Sequence, residues 1–181
     1  MIDDPLSVIT LLPLAAGLIL LVLPQILPGD SADGLRRVSR NISMGVALAI
    51  ATITTMLFVG EIGNIDWTNI TQGGYVLENE AAPLIPSIGV SWKVGADALS
   101  FPMIWLTAIL IPVSMLVEWD AKRGHLFHPL LLIMESALIG VFVALDLFVF
   151  YVFWELTLIP MFLLILRSEE RRVGKECRSR W

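Results

Sequence analysis

Five long apolar runs, separated by short polar stretches, organise the chain. Hydropathy predicts helices over about 6–27, 42–59, 99–117, 129–145 and 147–166. Twenty residues at about 1.5 Å rise span roughly 30 Å, the thickness of a bilayer's hydrocarbon core. Pro13, Pro24, Pro102, Pro112 and Pro160 fall inside or near the ends of these runs. Membrane helices tolerate the hydrogen bond that a proline removes when a neighbour or water satisfies the freed carbonyl. The pattern predicts an all-α, polytopic membrane protein with five transmembrane helices.

The connecting segments predict an orientation. Segment 28–41 holds Arg36, Arg37 and Arg40, and segment 118–128 holds Lys122, Arg123, His125 and His128. Segment 60–98 holds Glu61, Asp66, Glu78, Glu80 and Asp97 against Lys93 alone. The excess of basic residues places the first two loops in the cytoplasm and the third outside. The N-terminus is then outside, and helices four and five form a hairpin that turns outside at Asp146. Trp67, Trp92 and Trp119 suit interfacial belts. His125 and His128 read as loop residues near the cytoplasmic surface.

Composition agrees. The 181 residues are 56% hydrophobic and 16% charged, and mean hydropathy is +0.79. Soluble domains carry about 25% charge, so no soluble domain of ordinary size is expected. Met1-Ile2-Asp3-Asp4-Pro5 lacks the basic start of a cleavable signal peptide, which predicts a retained first helix. Cys177 is the one cysteine, too few for a disulfide framework or a metal cluster. No glycine-rich phosphate loop, zinc spacing or Cys-x-x-Cys occurs, so the chain is expected to bind no cofactor of its own.

The sequence changes character at Arg167. Residues 167–181 are highly charged and follow the apolar run without a linker. They read as the in-frame translation of a sequencing-adapter oligonucleotide, with AGA TCG GAA GAG encoding Arg167, Ser168, Glu169 and Glu170. Such a tail is left out of fold reasoning. Removing it takes away six of the 12 basic and three of the 17 acidic residues, which leaves a net charge of −8 on residues 1–166. The expectation is an N-terminal fragment, 1–166, followed by an artefactual tail.

Glu155 lies in the middle of the fifth run, with no basic residue near it. A carboxylate at the centre of a membrane helix costs about 2.5–3.5 kcal/mol or more to insert, and such residues serve proton or ion movement. Glu135 and Glu155 lie 11 residues before and nine after Asp146. On antiparallel helices these offsets correspond to depths of about 16 and 14 Å from the turn. Both approach the midplane, and helix rotation decides whether they face each other. An apolar surround favours the neutral acid, so a proton can reside there and leave when a cation approaches. Pro160 frees the carbonyl of Leu156 beside Glu155 and kinks the helix there. Tyr151, one turn back, is placed to donate to Glu155. The bland alternative is a protonated Glu155 that hydrogen-bonds a neighbouring helix.

Three stretches carry a resemblance. They are Gly95-Ala96-Asp97-Ala98-Leu99-Ser100, then residues 131–147 from Leu131 through Glu135 and Asp146, then Phe153-Trp154-Glu155-Leu156-Thr157-Leu158-Ile159-Pro160-Met161. Together they resemble the chain M (complex I subunit 4) family of NADH–quinone oxidoreductases, closely over about 92–166. Ala98 stands where the family usually has glycine, and Phe162 where it often has tyrosine. The resemblance implies a subunit of about fourteen membrane helices, related to cation/proton antiporters and set in the bacterial inner membrane. It implies that Glu155 is the family's essential glutamate, paired with a lysine on a later helix. Glu135 matches many members. NADH, FMN, iron–sulfur clusters and quinone then belong to the complex, and the partners are other membrane-arm subunits, lipid and protons, with no nucleic acid. The competing readings are a subunit of a multisubunit cation/proton antiporter, a membrane subunit of an energy-converting hydrogenase, and a structural scaffold indifferent to Glu155→Gln.

Overall fold

The structure is a computed structural model that describes residues 4–26, 32–61, 63, 74–79, 82–117, 119 and 126–178. Five helices follow in chain order: α1 (Pro5–Ile26), α2 (Ala32–Glu61), α3 (Ser100–Val117), α4 (Phe127–Val143) and α5 (Leu147–Arg178). Four contain stretches long and apolar enough to cross a membrane: Pro5–Leu23, Arg37–Glu61, Ser100–Val117 and Leu147–Leu166. The 17-residue α4 is apolar but shorter. It spans about 25 Å, and it is the most enclosed helix, packing on all four others. In lipid a helix satisfies its own backbone. Hydroxyl side chains do the same here: Thr10, Thr54 and Thr107 each donate to the carbonyl four residues back, at 2.7, 2.7 and 2.8 Å.

Two apolar clusters stack along the bundle. One joins Ile9, Ile50, Ile104, Ala108, Ile139 and Phe153. The other joins Met44, Ala47, Ile111, Met115, Leu131 and Leu132. Close approach to α4 depends on small residues. A Cβ on Gly17 of α1 would fall 2.7 Å from Ile133 Cγ1 and 3.0 Å from the Pro129 carbonyl.

Three expectations need correction. Residues Arg36, Arg37 and Arg40 do not lie in a loop, because α2 starts at Ala32 and carries them on its first turns. The extension is held by Arg40, whose guanidinium lies 4.1 Å from the Trp119 ring centre and donates to the Trp119 carbonyl at 3.2 Å. His128 is not a loop residue either. It sits in the first turn of α4 and is buried. His125, Lys122, Arg123 and Trp67 lie outside the described residues.

The third correction is segment 60–98, read as a plain loop, whose described residues 74–79 and 82–98 form a small cap. Its strands are β1 (Leu77–Glu78), β2 (Ala82–Ile85), β3 (Val90–Trp92) and β4 (Gly95–Ala96). β1 pairs antiparallel with β4, and β2 with β3. A 3-10 turn at Pro86–Ile88 joins β2 to β3 and ends at Gly89, whose φ of 73° suits glycine. Lys93 and Glu78 pair across the cap at 2.9 Å. That partner holds the Lys93 ammonium above its usual range. The strands are two to four residues long, too short for period-two alternation to stand out in the sequence.

Candidate functional site

The cap meets the helix ends through two aspartates. Asp97 follows β4 and caps α3, its Oδ1 accepting from the Leu99 and Ser100 amides at 3.1 and 2.6 Å. The Ser100 amide, foremost among these contacts, holds the Asp97 carboxyl below its usual value. Gly95 of the same motif lets β4 approach the α4–α5 turn, since a Cβ there would lie 2.8 Å from Leu145 Cδ1. Gly95-Ala96-Asp97-Ala98-Leu99-Ser100 is thus a strand, a turn and a helix cap in six residues.

Asp146 does more than turn a hairpin. Its Oδ1 accepts from the amides of Phe148 and Val149 at 2.9 and 3.4 Å, which caps α5. Its Oδ2 accepts from the Ser91 amide at 3.0 Å and from the Ser91 hydroxyl at 3.4 Å. These contacts, led by the Ser91 amide, hold the carboxyl below its usual value. The sequence carried the signal, an aspartate immediately before an apolar run, which is an N-cap pattern. Trp92, expected at an interface, is buried, and its Nε1 donates to Ser7 Oγ of α1 at 3.0 Å.

Glu135 lies wholly inside the bundle at 0% exposure. Leu131, Leu132 and Ile139, one turn to either side, belong to the two apolar clusters, so the carboxyl sits between them. Neither oxygen has a hydrogen-bond partner among the described residues. The next residue, Ser136, is satisfied, donating to the Thr10 carbonyl at 2.5 Å. A carboxyl so placed is compatible with the bundle as the neutral acid, or with water beside it.

Glu155 is placed differently. The inner face of α5 carries Val149, Phe153 and Pro160, all buried. Glu155 lies two residues past Phe153, a rotation of about 200°, and is exposed on the opposite face. Only 17% of Leu147–Leu166 is buried, against 39% of Pro5–Leu23. The structure therefore does not bring Glu135 and Glu155 together: one is enclosed by the bundle and the other is exposed on the outer face of α5. It does bring the Tyr151 phenol beside the Glu155 carboxyl. Tyr151, Asp146, Val90 and Phe148 line an open groove of about 730 Å³ between β3 and α5. Pro160 lies inside α5 on its inner face. No group of residues among those described could hold a metal ion.

No family model matches the chain. F(420)H(2) dehydrogenase subunit M of Methanosarcina mazei is 48% identical over 88 residues, covering 48% of this chain and 18% of its own length. NAD(P)H-quinone oxidoreductase chain 4 2 of Thermosynechococcus vestitus is 34% identical over 162 residues, covering 88% of this chain and 27% of its own. Among solved structures, a chain of respiratory complex I from Thermus thermophilus with bound NADH superposes with a TM-score of 0.64 at 32% identity. That match covers 87% of this chain and 28% of the other. The chain thus spans about a quarter or less of the length of the relatives it matches. Helix length, composition and these relatives make it a multi-pass membrane protein. It belongs to the chain 4 (subunit M) family of NAD(P)H–quinone oxidoreductases.

Proposed function

We propose that the chain forms part of a proton-translocating membrane-arm subunit of a respiratory NADH–quinone oxidoreductase. The observation that carries the reading is Glu155, an acid in an apolar helix of a chain related to chain 4 of such enzymes. Its role is to hold and release a proton, with the Tyr151 phenol beside it. Glu135 is a second proton-holding acid inside the bundle, and Pro160 shapes α5 beside Glu155. NADH, FMN, iron–sulfur clusters and quinone act in the complex, and this chain contributes as the translocase side of the enzyme. Its partners are the other membrane-arm subunits, lipid and protons. Further chain, of the length the relatives have, covers the open face of α5 and supplies the cation that draws the proton from Glu155. The location is a bacterial inner membrane, with the cap and the N-terminus outside and the Arg37/Arg40 end of α2 in the cytoplasm. The 48% match to an F420H2 dehydrogenase subunit favours a second reading, in which the proton role is the same and the electron donor differs.

The test is Glu155→Gln in the full-length protein within its complex. Proton translocation driven by NADH is expected to vanish while assembly persists, because Gln nearly preserves volume. Normal translocation by that variant sinks the reading. Translocation driven by reduced F420 and not by NADH selects the second donor.

A further inference from the structure

An ordinary helix cap needs one carboxylate oxygen, and Asp146 uses both. Oδ1 fixes the first turn of α5 through Phe148 and Val149. Oδ2 binds β3, 55 residues earlier in the chain. The next residue of β3 makes a second contact with α5: the Trp92 ring meets Phe153 edge-on, with centroids 6.1 Å apart. Trp92 is itself tied to Ser7 of α1 at 3.0 Å. The Leu145 amide donates to the Lys93 carbonyl at 3.0 Å, which locks the turn just before Asp146. Ser91 and Trp92 therefore hold α5 at two points seven residues apart, Asp146 and Phe153. Two points fix both the depth and the rotation of a helix. A slip of one residue at the α5 start would turn Glu155 by about 100° and move it about 1.5 Å along the axis.

We infer that Asp146 is a positioning residue for Glu155, acting by registering α5 against β3 of the cap. The inference rests on the proton role proposed for Glu155. It requires three readouts in the full-length protein within its complex: amide hydrogen exchange at Ser91 and Phe148, the infrared carboxyl band of Glu155 (the band that Glu155→Gln removes), and proton translocation per electron pair. Asp146→Asn keeps an oxygen for the Phe148 amide and turns an NH2 group toward Ser91. Exchange at Ser91 is expected to rise about fivefold, the equivalent of one ordinary hydrogen bond, with Phe148 still protected. The Glu155 band is expected to shift and translocation to fall. Asp146→Ala loses cap and tether together, and translocation is expected to drop about tenfold, as a displaced reacting group would cause. The partial recovery in Asp146→Asn separates registration from simple folding. A Ser91 amide as slow as in the parent, or an unmoved Glu155 band in Asp146→Asn, overturns the inference. Normal translocation in Glu155→Gln would remove the proton role, and the band would still decide whether Asp146 sets the place of that side chain.

Discussion

The ring of Phe153 lies directly on Gly140, so that a Cβ added to this glycine would come within 2.2 Å of Cδ1 and 2.3 Å of Cγ. The ring also meets Trp92 edge-on, with centroids 6.1 Å apart. The contact with Gly140 sets the spacing of α4 and α5.

Gly140→Ala is accordingly expected to destabilise the protein by about 1–3 kcal/mol through overpacking. A thermal melt in detergent checks this, with Gly45→Ala as the control, since no atom lies within 4 Å of a Cβ there. Equal melting of the two variants would show that the α4–α5 contact is looser than described.

Acid should loosen the cap. Asp97 and Asp146 both have carboxyl groups held below the usual value by hydrogen bonds to the charged form. Their contribution is complete above the unfolded pKa of about 3.9 and is lost as pH falls through the lower folded values. Amide exchange at Ser91, Phe148 and Ser100, corrected for intrinsic rates, should be flat from pH 5 to 8 and accelerate below about pH 4. The Lys93–Glu78 pair is open to solvent and adds little to the change. Acceleration beginning at neutral pH would contradict this account.

Glu135 should trade stability against activity. Its oxygens lack partners among the described residues, and replacing a buried unpaired polar group by an apolar one of similar shape is neutral or favourable. Glu135→Leu is expected to raise stability by about 1 kcal/mol, and Glu135→Gln to leave it near the parent. Both should reduce proton translocation in the full-length protein, by less than Glu155→Gln does. Destabilisation by Glu135→Leu would mean that the carboxyl holds a structural partner, such as buried water.

Orientation is checked with single cysteines. A cysteine at residue 78 should react with an impermeant thiol reagent on intact cells, and one at residue 37 should not. The opposite labelling would reverse the assignment of the cap to the outside.

The tail, 167–181, should be missing from a clean genomic read. Helix α5 runs on to Arg178 in the structure, and the uncontaminated gene should continue it toward a Gly-containing inner loop and later helices. A peptide containing Arg178 and Trp181, recovered by mass spectrometry from the source organism, would make the tail genuine.

Hydropathy located all five helices, four of them with stretches long and apolar enough to cross a membrane, because a bilayer-length apolar run admits few other structures. It misplaced the α2 start because Arg36, Arg37 and Arg40 break the apolar pattern without breaking the helix. Sequence spacing put Tyr151 and Glu155 one turn apart on one face of α5, a relationship local to a single helix. It could set the depths of Glu135 and Glu155 but not their directions, and the Gly140–Phe153 contact that fixes α5 is a tertiary relationship. The cap was illegible for the same reason. Ser91 and Asp146, or Ser7 and Trp92, reveal their pairing only when the chain has folded.

The cap also dictates an order of biogenesis. Its strand β3 finds Ser7 already made but must wait for Asp146, 55 residues later. At about 5–20 residues per second, a ribosome needs roughly three to eleven seconds to supply that anchor. Through that interval β3 lacks its docking edge, and α3 lies beside an absent α4. Closure of the cap therefore marks the moment the α4–α5 hairpin has been delivered, a checkpoint that a chain truncated before Asp146 could never pass.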